Sequence, residues 1–180
     1  MQNIDTAATP QQMRVYPSRV YLDPTVLAPS EVSIDDIARG LSRQCRYNGH
    51  VDGFISVARH SIWVSDLLRD EGASAEVQLA GLIHDSSEAY LGDLIAPLKH
   101  RPEFHFFREI EDHVLTVIAE THGLAYPFPP EVHAADRTIC ALEILFRRDV
   151  ANACRPAADE QEFLLRWTDL VVEWATDRRK

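Results

Sequence analysis

Three polar residues sit where helical periodicity calls for apolar ones. His60 lies three residues after Val57 and four before Val64, inside an apolar stripe. His84 falls on the apolar face of the next helical segment, with Asp85 directly after it. Asp136 is four residues after Val132 and three before Ile139, at the edge of another stripe. Buried imidazoles and carboxylates are costly unless they are paired or bind a metal. Taken singly, each has an ordinary explanation: a hydrogen-bonded core histidine, a chance His-Asp pair, a helix-face aspartate paired with Arg137 or Arg108. Two His and two Asp converging from three helices would instead make a divalent-metal site with mixed nitrogen and oxygen ligands.

Glu88 follows His84 by four residues and Asp85 by three, one helical turn along the same face. A carboxylate in that place can orient and deprotonate a water beside a metal. Arg46 lies in the segment RQCRYNGHVDG (43–53), which holds Gly49 and Gly53 and reads as a loop. Its guanidinium is a planar fork suited to phosphate, and Tyr47 and His50 share the loop. Gly92-Asp93 closes the segment that carries Glu88, and Pro97 and Lys99 follow in APLK.

The elements that must position these residues are helical. A capping pattern at Ser33, with Asp36 three residues on, starts a helix to about Gly40–Ser42. Phe54, Val57, Val64, Leu67 and Leu68 form the next stripe, ended by Asp70-Glu71-Gly72. Val77, Ala80, Gly81 and Leu91, with His84 and Glu88 between them, fall on one face of a second helix. Phe107 to Thr121 gives a third, stopped by His122-Gly123. Val132, Ala135, Ile139, Leu142 and Phe146 give a fourth after Pro129-Pro130, and Phe163, Trp167, Leu170 and Trp174 a fifth. No stretch shows clear strand alternation, so the class is all-α. Residues 1–32, with Pro10, Pro17, Pro24 and Pro29, read as an extended N-terminal arm, and 33–180 as one helical domain. Cys140 and Cys154 read as small core residues.

The 180 residues carry 18 Lys and Arg against 28 Asp and Glu, a formal charge of −10. Such a chain is a poor general nucleic-acid binder, because that affinity comes from neutralising phosphates. Three cysteines without a CxxC pattern argue against a disulfide framework and for a reducing compartment. No signal core and no apolar run near ~18 residues is present. The expectation is a soluble, intracellular chain.

In combination these motifs resemble the HD-domain metal-dependent phosphohydrolases over roughly residues 30–150. In that family the pattern H…HD…D holds the metal, and it falls here on His60, His84 with Asp85, and Asp136. The segments IDDIARGLSRQCRYNGH, VARHS, LIHDSSEAYLGDLIAPLK and ADR resemble the branch of short 5′-deoxynucleotidases and phage dATP triphosphohydrolases. The resemblance implies a single compact HD-domain helical bundle with the Pro-rich arm in front. It implies a divalent ion (Zn, Co, Mn, Fe, Ni or Mg) and Glu88 as the catalytic group. Arg46 would clamp the phosphate and Tyr47, where some relatives carry Trp, would stand near the sugar. His50 would be a further phosphate or leaving-group contact, and Asp93 would meet the sugar 3′-hydroxyl. Pro97 would line the base pocket and Lys99 would meet phosphate oxygens.

The implied activity is removal of the 5′ phosphate or polyphosphate from a small (deoxy)nucleotide, with dATP among the candidates, to give a nucleoside. The partners implied are that nucleotide and further copies of the chain (a dimer or a hexamer), with no nucleic acid and no membrane. The location implied is cytoplasmic, the host cytoplasm for a phage-encoded chain. Two alternatives stand beside this reading: an HD phosphoesterase acting on a cyclic nucleotide or an alarmone, and a non-catalytic nucleotide-sensing domain. An intact Glu88 beside an intact metal pattern argues against the latter.

Overall fold

The structure is a computed structural model that describes residues 9–145 and 154–179. The N-terminal segment pairs two short antiparallel strands, β1 (Met13–Arg14) and β2 (Tyr21–Leu22). Helices follow: α1 (Ile34–Leu41), α2 (Val57–Asp70), α3 (Ala75–Ile83), α4 (Glu88–Leu91), α5 (Ala96–Lys99), α6 (His105–Thr121), α7 (Pro130–Leu145) and α8 (Pro156–Asp177). The chain is an all-α bundle, as the periodicity predicts. Among the described residues no helix is long and apolar enough to cross a membrane.

Local sequence explains most of the boundaries. The Ser33 side chain accepts from the Asp36 N–H at the start of α1, and Ser56 and Ser74 cap α2 and α3 in the same way. The chain leaves α6 at His122 and turns through Gly123, whose φ of 73° suits glycine. Pro130 opens α7, where a missing N–H costs no intrahelical bond. Phe146, assigned to the α7 stripe from sequence, lies outside the described residues.

One expected helix is broken. The segment that carries His84 and Glu88 is not a continuous helix from Val77 to Leu91. α3 ends at Ile83, and the chain tightens through His84–Ser87 before α4. There the backbone bonds run three residues back, from Ser86 N to Ile83 O (2.9 Å) and from Glu88 N to Asp85 O (3.0 Å).

α2 lies at the centre and packs on α3, α7 and α8, while α1 packs on α4 and α8. Val57, Ala58, Ile62, Val64 and Leu68 of α2 are buried in one continuous core with Leu79, Leu82 and Ile83 of α3, Val132 and Ala135 of α7, and Phe163 and Leu170 of α8. Close approach is built in at Gly40, where an added Cβ would stand 2.9 Å from Ala89 Cβ, so α1 can lie directly on the element that carries Glu88. The Pro-rich arm is folded onto this bundle from residue 9 onward. Val15, Leu22 and Leu27 join the core, and Ser18 ties the arm to the buried Asp36 of α1 through its N–H (2.8 Å) and hydroxyl (2.5 Å).

α8 pins the start of α2. Asp159 is fully buried and accepts from the Ser56 hydroxyl at 2.6 Å and from Arg59 Nη2 at 2.8 Å. Breaking a buried pair from one side leaves the other charge uncompensated, at a cost of about 3–5 kcal/mol. Asp159→Ala should therefore lower the unfolding free energy by about that amount in urea titration. A loss below about 1 kcal/mol would mean that Glu162, which also accepts from Arg59, carries the pair alone.

Candidate metal centre

α2, the His84–Ser87 turn and α7 bring the predicted quartet together. His60 is fully buried in the α2 stripe. Its Nε2 stands 3.1 Å from Asp136 Oδ1 and 3.7 Å from Asp85 Oδ2. His84 Nε2 stands 3.2 Å from the same Asp85 oxygen and 3.8 Å from Asp136 Oδ1. The two imidazole centroids are 5.2 Å apart. The ligand atoms of His60, His84 and Asp85 lie within 4.8 Å of one another, as do those of His60, Asp136 and Cys140, so these groups could hold a metal ion.

Two observations test whether a cation fits. His84 Nε2 is buried and has no aligned hydrogen-bond partner, while its Nδ1 is committed to Gly81 O at 2.8 Å. An imidazole fixed at one nitrogen by a backbone carbonyl, with the other turned toward two carboxylates and making no aligned hydrogen bond, is in the usual posture of a metal ligand. The field points the same way. Burial alone would lower the His84 pKa, but Asp85 and Asp136 outweigh it and raise it to about 10. Burial likewise opposes ionisation of Asp85 and Asp136, yet the surrounding His60, His84 and, for Asp85, Arg46 hold both well below the usual carboxylate range. Two ionised carboxylates facing two imidazole nitrogens call for positive charge, and the residues fit a divalent ion.

The loop after α1 reaches the same place. Arg46 N bonds Ile55 O at 2.9 Å, and Tyr47, Asn48 and Gly49 all take left-handed backbone conformations. That turn sends the Arg46 side chain inward, where 8% of the residue remains exposed. The guanidinium donates from Nε to Glu143 at 3.1 Å, from Nη2 to Cys140 Sγ at 3.1 Å, and from Nη1 toward Asp85 at 3.5 Å. Tyr47 donates its hydroxyl to Glu143 at 2.7 Å. A left-handed conformation is uncommon for so bulky a residue, and this bond helps to hold it.

Glu143 is the residue that sequence reasoning missed. It is 1% exposed and accepts from His60 Nδ1 at 2.9 Å as well as from Arg46 and Tyr47. Burial works against its ionisation, but His60 and Arg46 outweigh burial and lower its pKa. Its expected neighbour in the apolar stripe, Leu142, is instead 41% exposed. The available signal is spacing: Glu143 is two turns beyond Asp136 on the same face of α7. Cys140, one turn beyond Asp136, is also not plain core; it borders the cavity that opens from this centre.

That cavity, of about 1000 Å³, is lined by Arg46, Tyr47, His50, Glu88, Asp93, Pro97 and Lys99 beside His84, Asp85 and Asp136. All the predicted substrate contacts therefore border one space, with His60 buried behind its wall. Glu88 is buried, and its Oε2 has no partner. Burial, followed by the charges of Asp85 and Asp93, pushes its carboxyl well above the usual range. Lys99 is not a free cation: its Nζ pairs with Glu111 Oε1 at 2.6 Å. Glu111, buried on α6, was not foreseen either. Leu94, Ile95, Leu115 and Phe128 add apolar wall, with Tyr126 set edge-on to Phe128 at 5.2 Å.

No family model matches the chain. Over 121 residues it is 37% identical to the uncharacterized protein YfdR of Escherichia coli K12, which covers 67% of this chain and 62% of that protein. Over 130 residues it is 35% identical to an uncharacterized protein of Rhodobacter capsulatus, covering 68% of this chain and 64% of that one. The chain thus spans a little under two thirds of the length of both curated relatives.

The position of Glu143 behind His60 yields a test. A partner that orients a ligating imidazole contributes about 10–100-fold in metal affinity. Glu143→Ala should weaken zinc binding by that factor in a chelator-competition titration, and Glu143→Gln, which still accepts from His60, should lose less. Unchanged affinity in Glu143→Ala would show that α2 packing alone orients the ring.

Proposed function

We propose that this chain is a metal-dependent phosphohydrolase that removes a 5′ phosphate or polyphosphate from a small nucleotide, most simply a 2′-deoxynucleotide. The observation that carries the reading is the meeting of His60, His84, Asp85 and Asp136 at the head of a cavity that Arg46 and Glu88 also border. The resemblance of the HDSSEAYLGDL segment to nucleotide-hydrolysing HD proteins supports it. A divalent ion bound by that quartet would supply the Lewis acid that neutralises charge on the phosphate oxygens.

The chain's own residues would do the rest. Arg46 has five N–H donors and spends three on Glu143, Cys140 and Asp85, so two remain for a phosphate. Glu88 would take a proton from the attacking water. Burial and the neighbouring carboxylates hold the Glu88 carboxyl above its usual range, which makes its carboxylate a stronger base toward that water. The water oxygen forms the new bond to phosphorus, the bond to the ester oxygen breaks, and that oxygen leaves with a proton. Asp93, half-buried on the cavity wall, would accept a sugar hydroxyl. The apolar wall by Pro97, Ile95 and Phe128 would take the base. Tyr47, His50 and Lys99 border the space that sugar and phosphates would fill. Such chemistry rests on positioning and charge neutralisation, which agrees with a cavity rich in fixed charges and poor in nucleophile–base pairs.

The test is phosphate release from a panel of nucleoside and deoxynucleoside mono- and triphosphates, cyclic nucleotides and an alarmone, with each divalent metal added. Hydrolysis should require metal and stop on chelation. Glu88→Ala should keep its metal and lose about 10²–10⁴-fold in turnover, the range for a positioned general base. Arg46→Ala should lose about 10–150-fold in kcat/KM, the equivalent of a charge-assisted hydrogen bond of about 1.5–3 kcal/mol. Hydrolysis undiminished after exhaustive chelation, or in Glu88→Ala, would overturn the mechanism.

A further inference from the structure

Cys140 stands one turn beyond Asp136 on α7, so the two side chains share a face. Its Sγ is 3.3 Å from Asp136 Oδ1, and together with a ring nitrogen of His60 these atoms fall within 4.8 Å of one another. A nitrogen at about 2.0 Å and a sulfur at about 2.3 Å from one tetrahedral ion stand about 3.5 Å apart. The sulfur is therefore within a small side-chain adjustment of an ion shared with His60 and Asp136.

Two independent features point to a ligand at this place. His84 Nε2, on a side chain 7% exposed, makes no aligned hydrogen bond and belongs to the adjoining group of His60, His84 and Asp85, which shares His60 with Cys140 and Asp136. On the other side of the sulfur, Arg46 Nη2 donates to Sγ at 3.1 Å. Burial holds the free thiol above its usual range in spite of that donor, so the sulfur would lose its proton on binding a metal ion rather than to solvent alone, and the donor would then face a coordinated thiolate.

We propose that Cys140 is a sulfur ligand of the metal centre, making it a site for zinc, cobalt(II) or iron(II) in preference to magnesium or manganese. The inference rests on the metal-dependent reading above and goes beyond its set of two histidines and two aspartates. Soft thiolate selects the first group of metals, whereas carboxylate and imidazole alone accept both. Coordination forms a metal–sulfur bond and releases the thiol proton to solvent, with no change of oxidation state. The competing role for Cys140 is that of a neutral thiol that donates a hydrogen bond to Asp136 and never meets the ion.

The experiment is a cobalt(II) titration of the metal-free full chain, followed by absorption spectroscopy, for wild type, Cys140→Ser, Cys140→Ala and His84→Ala. Wild type should develop visible ligand-field bands together with an ultraviolet sulfur-to-cobalt charge-transfer band. Both Cys140 variants should keep ligand-field bands and lose the charge-transfer band. Zinc affinity should fall by at least about 10-fold in Cys140→Ser, while manganese affinity stays within about 2-fold. Ligand-field bands without charge transfer in wild type would overturn the sulfur ligand and leave the four-residue centre standing. A charge-transfer band that survives in both Cys140 variants would assign it to another cysteine and overturn the proposal. No cobalt bands at all, or cobalt bands unchanged in His84→Ala, would overturn the centre itself and the sulfur ligand with it.

Discussion

The fully buried imidazole of His60, held at Nδ1 with Nε2 turned toward the ligand cluster, is the constraint on which the rest of the site depends. Glu143 takes Nδ1 at 2.9 Å and Asp136 faces Nε2 at 3.1 Å. A ring held in this way cannot rotate, and its tautomer is set by the carboxylate behind it. The same Glu143 also holds Arg46 and Tyr47. One carboxylate thus sets three things at once: the direction of a candidate ligand on α2, the inward turn of the loop after α1, and the register of α7 against both. Low local dielectric makes such a network stiff when complete and costly when any member is lost.

The grip works because the backbone delivers it from rigid elements. Asp159 of α8 secures the first turn of α2, one turn before His60. Gly40 lets α1 lie against Ala89, so the element bearing Glu88 is seated beside the loop bearing Arg46. The tightened His84–Ser87 turn, with its three-residue hydrogen bonds, presents His84 and Asp85 together before the chain resumes as α4. Cations in the cavity are placed with equal economy: Arg46 answers to Glu143 and Lys99 to Glu111. Fixed charges of this kind need no reorganisation when a ligand arrives.

Much of this was legible in the sequence, for a physical reason. A histidine or aspartate in an apolar stripe violates the pattern around it, so His60, His84 and Asp136 announce themselves, and Asp85 comes with His84. Caps at Ser33 and Pro130 are equally local. Glu143 and Glu111 were not legible, because a glutamate on a helix normally faces water and neither interrupts a stripe. Glu143 is buried only through partners that come from α2 and from the loop at Arg46, contacts that no local window contains. The break after Ile83 was hidden too, since the apolar spacing runs on across it and His84 and Ser87, at the two ends of the turn, keep right-handed helical backbone angles. Cys140 looked like core because a small apolar residue reads the same whether its neighbour is a leucine or an aspartate.

Whether the quartet headed by His60 holds a metal ion can be seen by anomalous diffraction from crystals of the metal-free protein soaked in zinc. Data collected on either side of the zinc absorption edge locate the ion without reference to activity. One strong peak per chain is expected among His60 Nε2, His84 Nε2, Asp85 and Asp136, beside the fixed guanidinium of Arg46. Full occupancy elsewhere on the chain with no peak in that cluster would contradict the metal centre.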